Sequence, residues 1–307
     1  MDIWLLFQNA LTVLAATFLG VLTADILTSI GCAEKAAFLF TPLMKVAKLP
    51  RKLSLPALIS MIDGRAEHSI VSSYLKRSEI GEAEVLVYNL VTSPLAVVLF
   101  LYRYYLPVVI ASLGLYIGGL YVLFSLISSL VSLIIGIAYG RAKLKNINVE
   151  EMVFRKERSE KVNVRKSVKT AASFTKKVIQ KYILILTILS ILNHFGAFSL
   201  IRSALQAVKM PLSAQALTVF TTHALSPTAG ILMAGELVRS GLIGTKEVLT
   251  TLILGKFFYL MTQEYPRNSI PFYASIYPAK TATKLVALSI LATVASTPLC
   301  ILIILYL

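Results

Sequence analysis

The sequence predicts an all-α polytopic membrane protein of two inverted-topology repeats, each with a re-entrant helical hairpin and an interrupted transmembrane helix. Three observations predict it. Apolar residues form 57% of the 307-residue chain and charged residues only 15%, more apolar surface than a water-soluble chain of this size needs. A pattern around Arg77 returns around Arg239, and repetition within an apolar chain marks architectures built from structural repeats. Positive charge is concentrated in residues 141–181, which carry 13 Lys/Arg against four Glu.

The apolar runs come first. A helix needs roughly 20 residues to cross a bilayer core, and the runs at 3–30, 85–102, 120–139, 182–205, 248–261 and 285–307 are the candidates. The run at 248–261 is short for the task. The first run has no basic leading segment, so it reads as a retained helix rather than a secretory signal. Cys32 and Cys300 sit in apolar surroundings and suggest neither a disulfide framework nor a metal site.

The repeat is read from landmarks. Leu75, Arg77, Ser78, Gly81, Glu84, Val85 and Leu86 match Leu237, Arg239, Ser240, Gly244, Glu247, Val248 and Leu249. The offset is 162 residues at Arg77/Arg239 and 163 at Gly81/Gly244, implying one extra residue. Leu106-Pro107 pairs with Ile270-Pro271 in the same reading. The chain divides into a first membrane repeat at 1–140, a basic linker at 141–181 and a second repeat at 182–307.

The linker orients the rest. Positive charge beside membrane helices marks the cytoplasmic side and its anionic lipids. With three crossings per copy and a non-crossing hairpin in each, cytoplasmic segments collect 23 of the 30 Lys/Arg, and both termini lie outside the cell membrane. An odd number of crossings makes the two copies inverted. Phe154 and Phe174 are the linker's only aromatics, too little for base stacking, so no nucleic acid partner is expected.

Each hairpin consists of two half-length apolar segments around a polar tip. Residues 54–62 and 70–75 flank Asp63-Gly64-Arg65-Ala66-Glu67-His68-Ser69. Residues 214–222 and 231–238 flank His223-Ala224-Leu225-Ser226-Pro227-Thr228-Ala229-Gly230. Lipid cannot satisfy the free helix ends at such a tip, so it must face protein or a water-filled cavity, and those ends suit a ligand. The following helix is expected to be interrupted at Asn89 and Thr92-Ser93-Pro94 in the first copy, and at Gly255-Lys256 in the second.

The hairpin followed by Arg-Ser, Gly and Glu-Val-Leu, at residues 77–86 and 239–249, resembles the Gate-domain (nucleoside-recognition) membrane proteins. Their unit is repeated in concentrative nucleoside transporters and occurs in the permease part of ferrous-iron transporters. The resemblance covers roughly residues 50–140 and 211–307. It implies re-entrant hairpins, inverted repeats and small-solute transport. Nucleoside carriers bear Gln/Thr/Glu-type residues at the first tip, where this chain has a more charged Asp-Gly-Arg-Ala-Glu-His.

The expected function is a secondary transporter moving a small polar solute, nucleoside-like or anionic, by alternating access. The expected solute-binding residues are Asp63, Arg65, Glu67, His68, Asn89, Thr92 and Ser93 in the first copy, and Thr222, His223, Ser226, Thr228 and Lys256 in the second. Charges at membrane depth cost roughly 3 kcal/mol each and usually serve function. The bland alternative has Arg65 pairing with Asp63 and Glu67 to brace the hairpin. Most Tyr and Phe residues along the helices are expected to face lipid or pack. No cofactor or metal is expected; free carbonyls and carboxylates are compatible with Na⁺ or H⁺ coupling. The partners are the lipid bilayer, the solute and, where a moving core requires a fixed frame, a second copy of the chain. Two other functions fit the same fold: a non-transporting membrane scaffold, and an intramembrane lipid-processing enzyme using Glu67 and His68.

Overall fold

The computed structural model describes residues 32–144 and 212–307 continuously, with isolated positions among 15–22 and 165–187. The expected spans at 3–30 and 182–205 and nearly all of the basic linker lie outside the described residues. Every element among the described residues is helical. They are α1 (Cys32–Val46), a 3₁₀ turn (Arg51–Leu53), α2 (Ser54–Ser60), α3 (Gly64–Lys76), α4 (Glu82–Val91), α5 (Ser93–Phe100), a π-helix π1 (Leu101–Ile110), α6 (Ala111–Lys143), α7 (Ala214–Leu225), α8 (Pro227–Arg239), α9 (Thr245–Tyr259), a second π-helix π2 (Leu260–Ser269), α10 (Ile270–Ile276) and α11 (Ala279–Tyr306).

Several backbone features of the two hairpin segments recur at one constant spacing. The first hairpin starts after Pro50 and the second after Ser213. At the tips, Asp63 (φ −156°, ψ 116°) and Ser226 (φ −147°, ψ 103°) hold the same extended conformation before α3 and α8. The two helices then end alike. Ser78 (φ 56°) and Gly241 (φ 68°) take the left-handed conformation. The next residues, Glu79 and Leu242, donate back to the carbonyls of Tyr74 and Leu237 at 3.0 and 2.9 Å, the Schellman pattern. Gly81 and Gly244 then cap α4 and α9. Every one of these pairs is 163 residues apart.

That register corrects the landmark alignment. The Arg77-Ser78 and Arg239-Ser240 matches are one residue out of structural step, and no extra residue follows them. Ser78 does the work of Gly241, not of Ser240. The Gly…Glu-Val-Leu half of the motif keeps its register because it is a helix start. Glu84 accepts from the Gly81 N–H, Glu247 accepts from the Ser213 N–H at 3.3 Å, and Val85, Leu86, Val248 and Leu249 are buried.

The expected interruptions differ from those found. In the first copy α4 and α5 are separate, but Thr92 between them stays right-handed at φ −85°, ψ −3°. Pro94 withholds a donor and bends the chain without unwinding it. In the second copy α9 runs unbroken through Gly255 and Lys256, because glycine keeps its N–H and weakens a helix without forcing it open. The irregularity lies further on. Both copies continue into a ten-residue π-helix whose seventh residue is proline, Pro107 in π1 and Pro266 in π2. Pro107 and Pro266 hold the same place within their π-helices but are 159 residues apart, four fewer than the spacing kept by the hairpins. A wider π turn relieves the crowding that proline imposes on an α-helix.

Within α6, Gly114 has φ 76° and ψ 170°. A Cβ at Gly118 would stand 3.0 Å from Ile110 Cα, whereas eight residues of straight helix span about 12 Å. The chain thus doubles back at Gly114. The helical stretch Ser93–Lys143, and α11, are long and apolar enough to cross a membrane. Only 28% and 22% of their most apolar windows is buried, whereas a core helix of a water-soluble fold hides its apolar residues.

The chain forms two compact units. One comprises Met1–Leu99, Leu133–Leu186 and Phe272–Leu285, the other Phe100–Ser132, Thr187–Pro271 and Val286–Leu307. Each unit holds one hairpin, the helix after it and a segment of the other repeat. Compact units and sequence repeats are different partitions of the chain.

Candidate functional sites

The first unit encloses a polar cluster around His68, on the first turns of α3. Asp63 starts that helix: its Oδ1 accepts from the backbone N–H groups of Arg65 and Ala66 at 2.8 and 2.9 Å, the ordinary work of an N-cap. The cap sets α3 so that Glu67 and His68 point inward; both are buried. Helix α10 and the residues after it close over them. Ser72 donates to the Ile276 carbonyl at 2.5 Å, stitching α3 to that segment.

His68 then sits among three aromatic rings of the second repeat. The Tyr273 ring meets it edge-on at 4.9 Å, and the Tyr277 and Phe272 rings lie at 6.0 and 6.2 Å. Tyr277 donates its hydroxyl proton to the His68 carbonyl at 3.1 Å, while His68 Nδ1 lies 3.1 Å from the same oxygen. A hydroxyl has one proton, so Nδ1 must carry the hydrogen of that contact. Tyr273 faces two acceptors at 3.4 Å each, His68 Nε2 and Asn89 Oδ1, and can serve one at a time. The arrangement is a hydrogen-bonded chain with a choice of proton position.

Glu67 lies on the α4 side, facing Tyr88 and Thr92. Its Oε1 and the Tyr88 hydroxyl are buried without a hydrogen-bond partner, and Thr92 donates instead to the Tyr88 carbonyl at 2.9 Å. No ion pair joins Arg65 to Asp63 or Glu67. Arg65 is half-buried, with one guanidinium nitrogen unpartnered. Ser93 is half-buried at the bend between α4 and α5.

The second unit has its own cluster, around His223 on α7. The imidazole is fully buried and neither ring nitrogen has a partner. Glycines make room for it. A Cβ at Gly255 of α9 would stand 2.9 Å from His223 Cβ, and one at Gly230 of α8 would overlap His223 more closely still. The Tyr121 ring meets the imidazole edge-on at 6.3 Å. The residue after Gly255, Lys256, donates to Ser125 Oγ at 3.0 Å and lies 5.8 Å from the Tyr121 ring centre. Thr222 points to the Met233 sulfur at 3.5 Å. Ser226 and Thr228 are exposed at the tip, Thr228 beside Tyr104.

The expected residues therefore fall into two groups. Glu67, His68, Asn89 and Thr92 gather in one unit, with Asp63 as a cap; His223 and Lys256 gather in the other. The sequence reading missed the aromatic half of both clusters, because Tyr273, Tyr277 and Tyr121 were expected to face lipid or merely pack. A signal existed. Tyr273 and Tyr277, and likewise Tyr121 and Ser125, stand four residues apart on one helical face, each pair placing hydroxyls within an apolar run.

Comparison with known proteins identifies relatives over most of the chain. The uncharacterized protein MJ0871 of Methanocaldococcus jannaschii is 28% identical over 269 residues, covering 87% of this chain and 84% of its own length. MJ0880 and MJ1556 of the same organism, also uncharacterized, are 24% and 25% identical, covering 84% and 92% of this chain and 85% and 91% of their own. No family model matches, and no solved structure does.

Proposed function

We propose that this chain is a multi-pass membrane carrier, related in architecture to the Gate-domain proteins, that moves a small polar solute by alternating access. The observation that supports it best is the pairing of opposites within each unit. Long helices leave apolar faces uncovered, yet the first unit buries Glu67, His68 and Tyr277 beside its hairpin, and the second buries His223 and Tyr121 beside a half-buried Lys256. Ionisable groups kept inside a lipid-facing fold are costly and mark solute or ion pathways. The hairpins and their following helices form the binding elements, the basic linker is cytoplasmic, and the two repeats have opposite orientation. Coupling to H⁺ or Na⁺ is part of the proposal, as is a second copy providing the fixed frame.

The test is uptake into proteoliposomes from a panel of radiolabelled nucleosides, nucleobases and organic acids, with and without imposed H⁺ and Na⁺ gradients. The proposal expects uptake of one class, reduced at least tenfold by His68→Ala or Lys256→Met. Folded protein that neither binds nor moves any of the panel overturns it.

A further inference from the structure

The charges of the second unit do not balance, and the imbalance identifies a ligand. Lys256 is half-buried in the last turn of α9, among apolar residues. An ammonium in such a place ordinarily pairs with an anion. The second unit contains three carboxylates, Glu236, Glu247 and Glu264, and all are engaged elsewhere. Glu236 pairs with Arg239 at 2.9 Å. Glu247 accepts from the Ser213 N–H at 3.3 Å. Glu264 accepts from Asn268 at 2.8 Å and Ser269 at 3.3 Å. The one thiol nearby does not substitute, since Cys300 donates its proton to the Phe124 carbonyl at 3.6 Å. Among the described residues Lys256 is left with Ser125 Oγ and the Tyr121 ring face, neither of which neutralises it.

A second feature points to the same place. His223 is fully buried, and among the described residues neither ring nitrogen has a hydrogen-bond partner. It shares the Tyr121 ring with Lys256. One cation and one imidazole able to donate form an incomplete set of donors, while the Ser125 hydroxyl, which accepts from Lys256 at 3.0 Å and donates to the Tyr121 carbonyl at 3.1 Å, holds the ammonium in place. The missing member is an acceptor with a single negative charge. A doubly charged phosphate would leave charge over, because one lysine supplies only one positive charge. The aromatic wall of Tyr121 and Tyr105, whose rings meet edge-on at 6.3 Å, accepts an apolar body behind the charged head.

We infer that Lys256, Ser125 and His223 form a binding site for a monocarboxylate, the carboxylate taking the place of the absent counter-ion on Lys256. The inference rests on the carrier reading above and narrows its solute to an organic monoanion.

The test is a thermal-shift and equilibrium-binding series on the full chain in detergent, with acetate, benzoate, inorganic phosphate and uncharged adenosine as probes. Binding to the folded state raises the melting temperature as ligand concentration exceeds Kd. The inference expects stabilisation by benzoate and acetate and none by adenosine. Lys256→Met should weaken benzoate binding about 10- to 100-fold, the usual effect of losing a charge-assisted bond, while Lys256→Arg keeps most of it. Arg239→Gln, which removes an exposed cation instead, should leave binding unchanged. If Lys256→Met unfolds the protein, Ser125→Ala serves in its place, with a smaller loss expected. Stabilisation by adenosine or phosphate alone, or benzoate binding indifferent to both substitutions, overturns the inference. Benzoate bound at Lys256 but not transported overturns the carrier reading and leaves the site standing.

Discussion

At the residue scale the two hairpin segments allow a direct comparison of one turn with serine and with glycine. Ser78 and Gly241 occupy the same left-handed turn after the first and second hairpins, but only glycine takes that conformation without steric cost. Among the described residues no hydrogen bond of the Ser78 side chain compensates for the strain. Ser78→Gly is therefore expected to stabilise the protein by about 0.5–1 kcal/mol, and Gly241→Ser to destabilise it by a similar amount; chemical denaturation of both variants in detergent checks the opposite signs. Gly255 tests a different constraint. Alanine favours a helix interior by about 1 kcal/mol, yet a methyl there would press on the His223 Cβ and ring at 2.9–3.2 Å. Overpacking of that kind costs roughly 1–3 kcal/mol, so Gly255→Ala should lower the melting temperature despite the better helix propensity. His223 and Lys256 were legible from the sequence because histidine and lysine are rare in apolar runs. Their room was not, because Gly255 reads as a weak spot in α9 when its function is to admit a ring.

At the element scale, legibility followed local chemistry. Helix starts were readable: Gly81…Glu84 and Gly244…Glu247 mark α4 and α9, and the polar tips mark where α3 and α8 begin. The bend at Pro94 was readable as a bend. The π-helices were not, since nothing local distinguishes a proline in a widened turn from one that breaks a helix; only the backbone shows Pro107 and Pro266 at the seventh place of their π-helices. Contacts between distant elements were also invisible. Glu82, at the start of α4, accepts from Thr281 at 3.2 Å and from Lys284 at 3.0 Å on α11. The Lys284 hydrogen bond, reinforced by its charge and by Thr281, holds the Glu82 carboxyl below the usual carboxylate range. A lowered value means the bond's contribution is fully present above pH ~4.3, the unfolded carboxylate's midpoint, and is lost as pH falls through the folded one. Both side chains are partly exposed, so the contribution is about 0.2–1 kcal/mol. The stability difference between the native chain and Glu82→Gln should thus be measurable at pH 7 and shrink toward zero near pH 3. A difference that does not change with pH would sink this account of α4 and α11.

At the scale of the whole molecule, the sequence divides the chain at its basic linker and the packing divides it elsewhere. The first unit needs Phe272–Leu285 from the second repeat, and the second needs Phe100–Ser132 from the first. These are not peripheral additions. Tyr273 and Tyr277 complete the cluster around His68, and Tyr121 and Ser125 complete that around His223 and Lys256. Either repeat alone would expose half of each polar cluster to lipid, where unsatisfied groups cost several kcal/mol apiece. Repeats detected as contiguous blocks could not reveal this, because exchange of segments leaves no trace in spacing. It does have a consequence. A chain severed within the linker, expressed as residues 1–155 and 160–307, should assemble when both fragments are made together, since membrane helices associate after insertion by packing and hydrogen bonding. Each fragment made alone should be degraded or aggregate. Co-purification of the pair through a tag on one fragment, with a melting temperature close to that of the intact chain, is the expected result; a stable, monodisperse single fragment would show that the exchanged segments are dispensable.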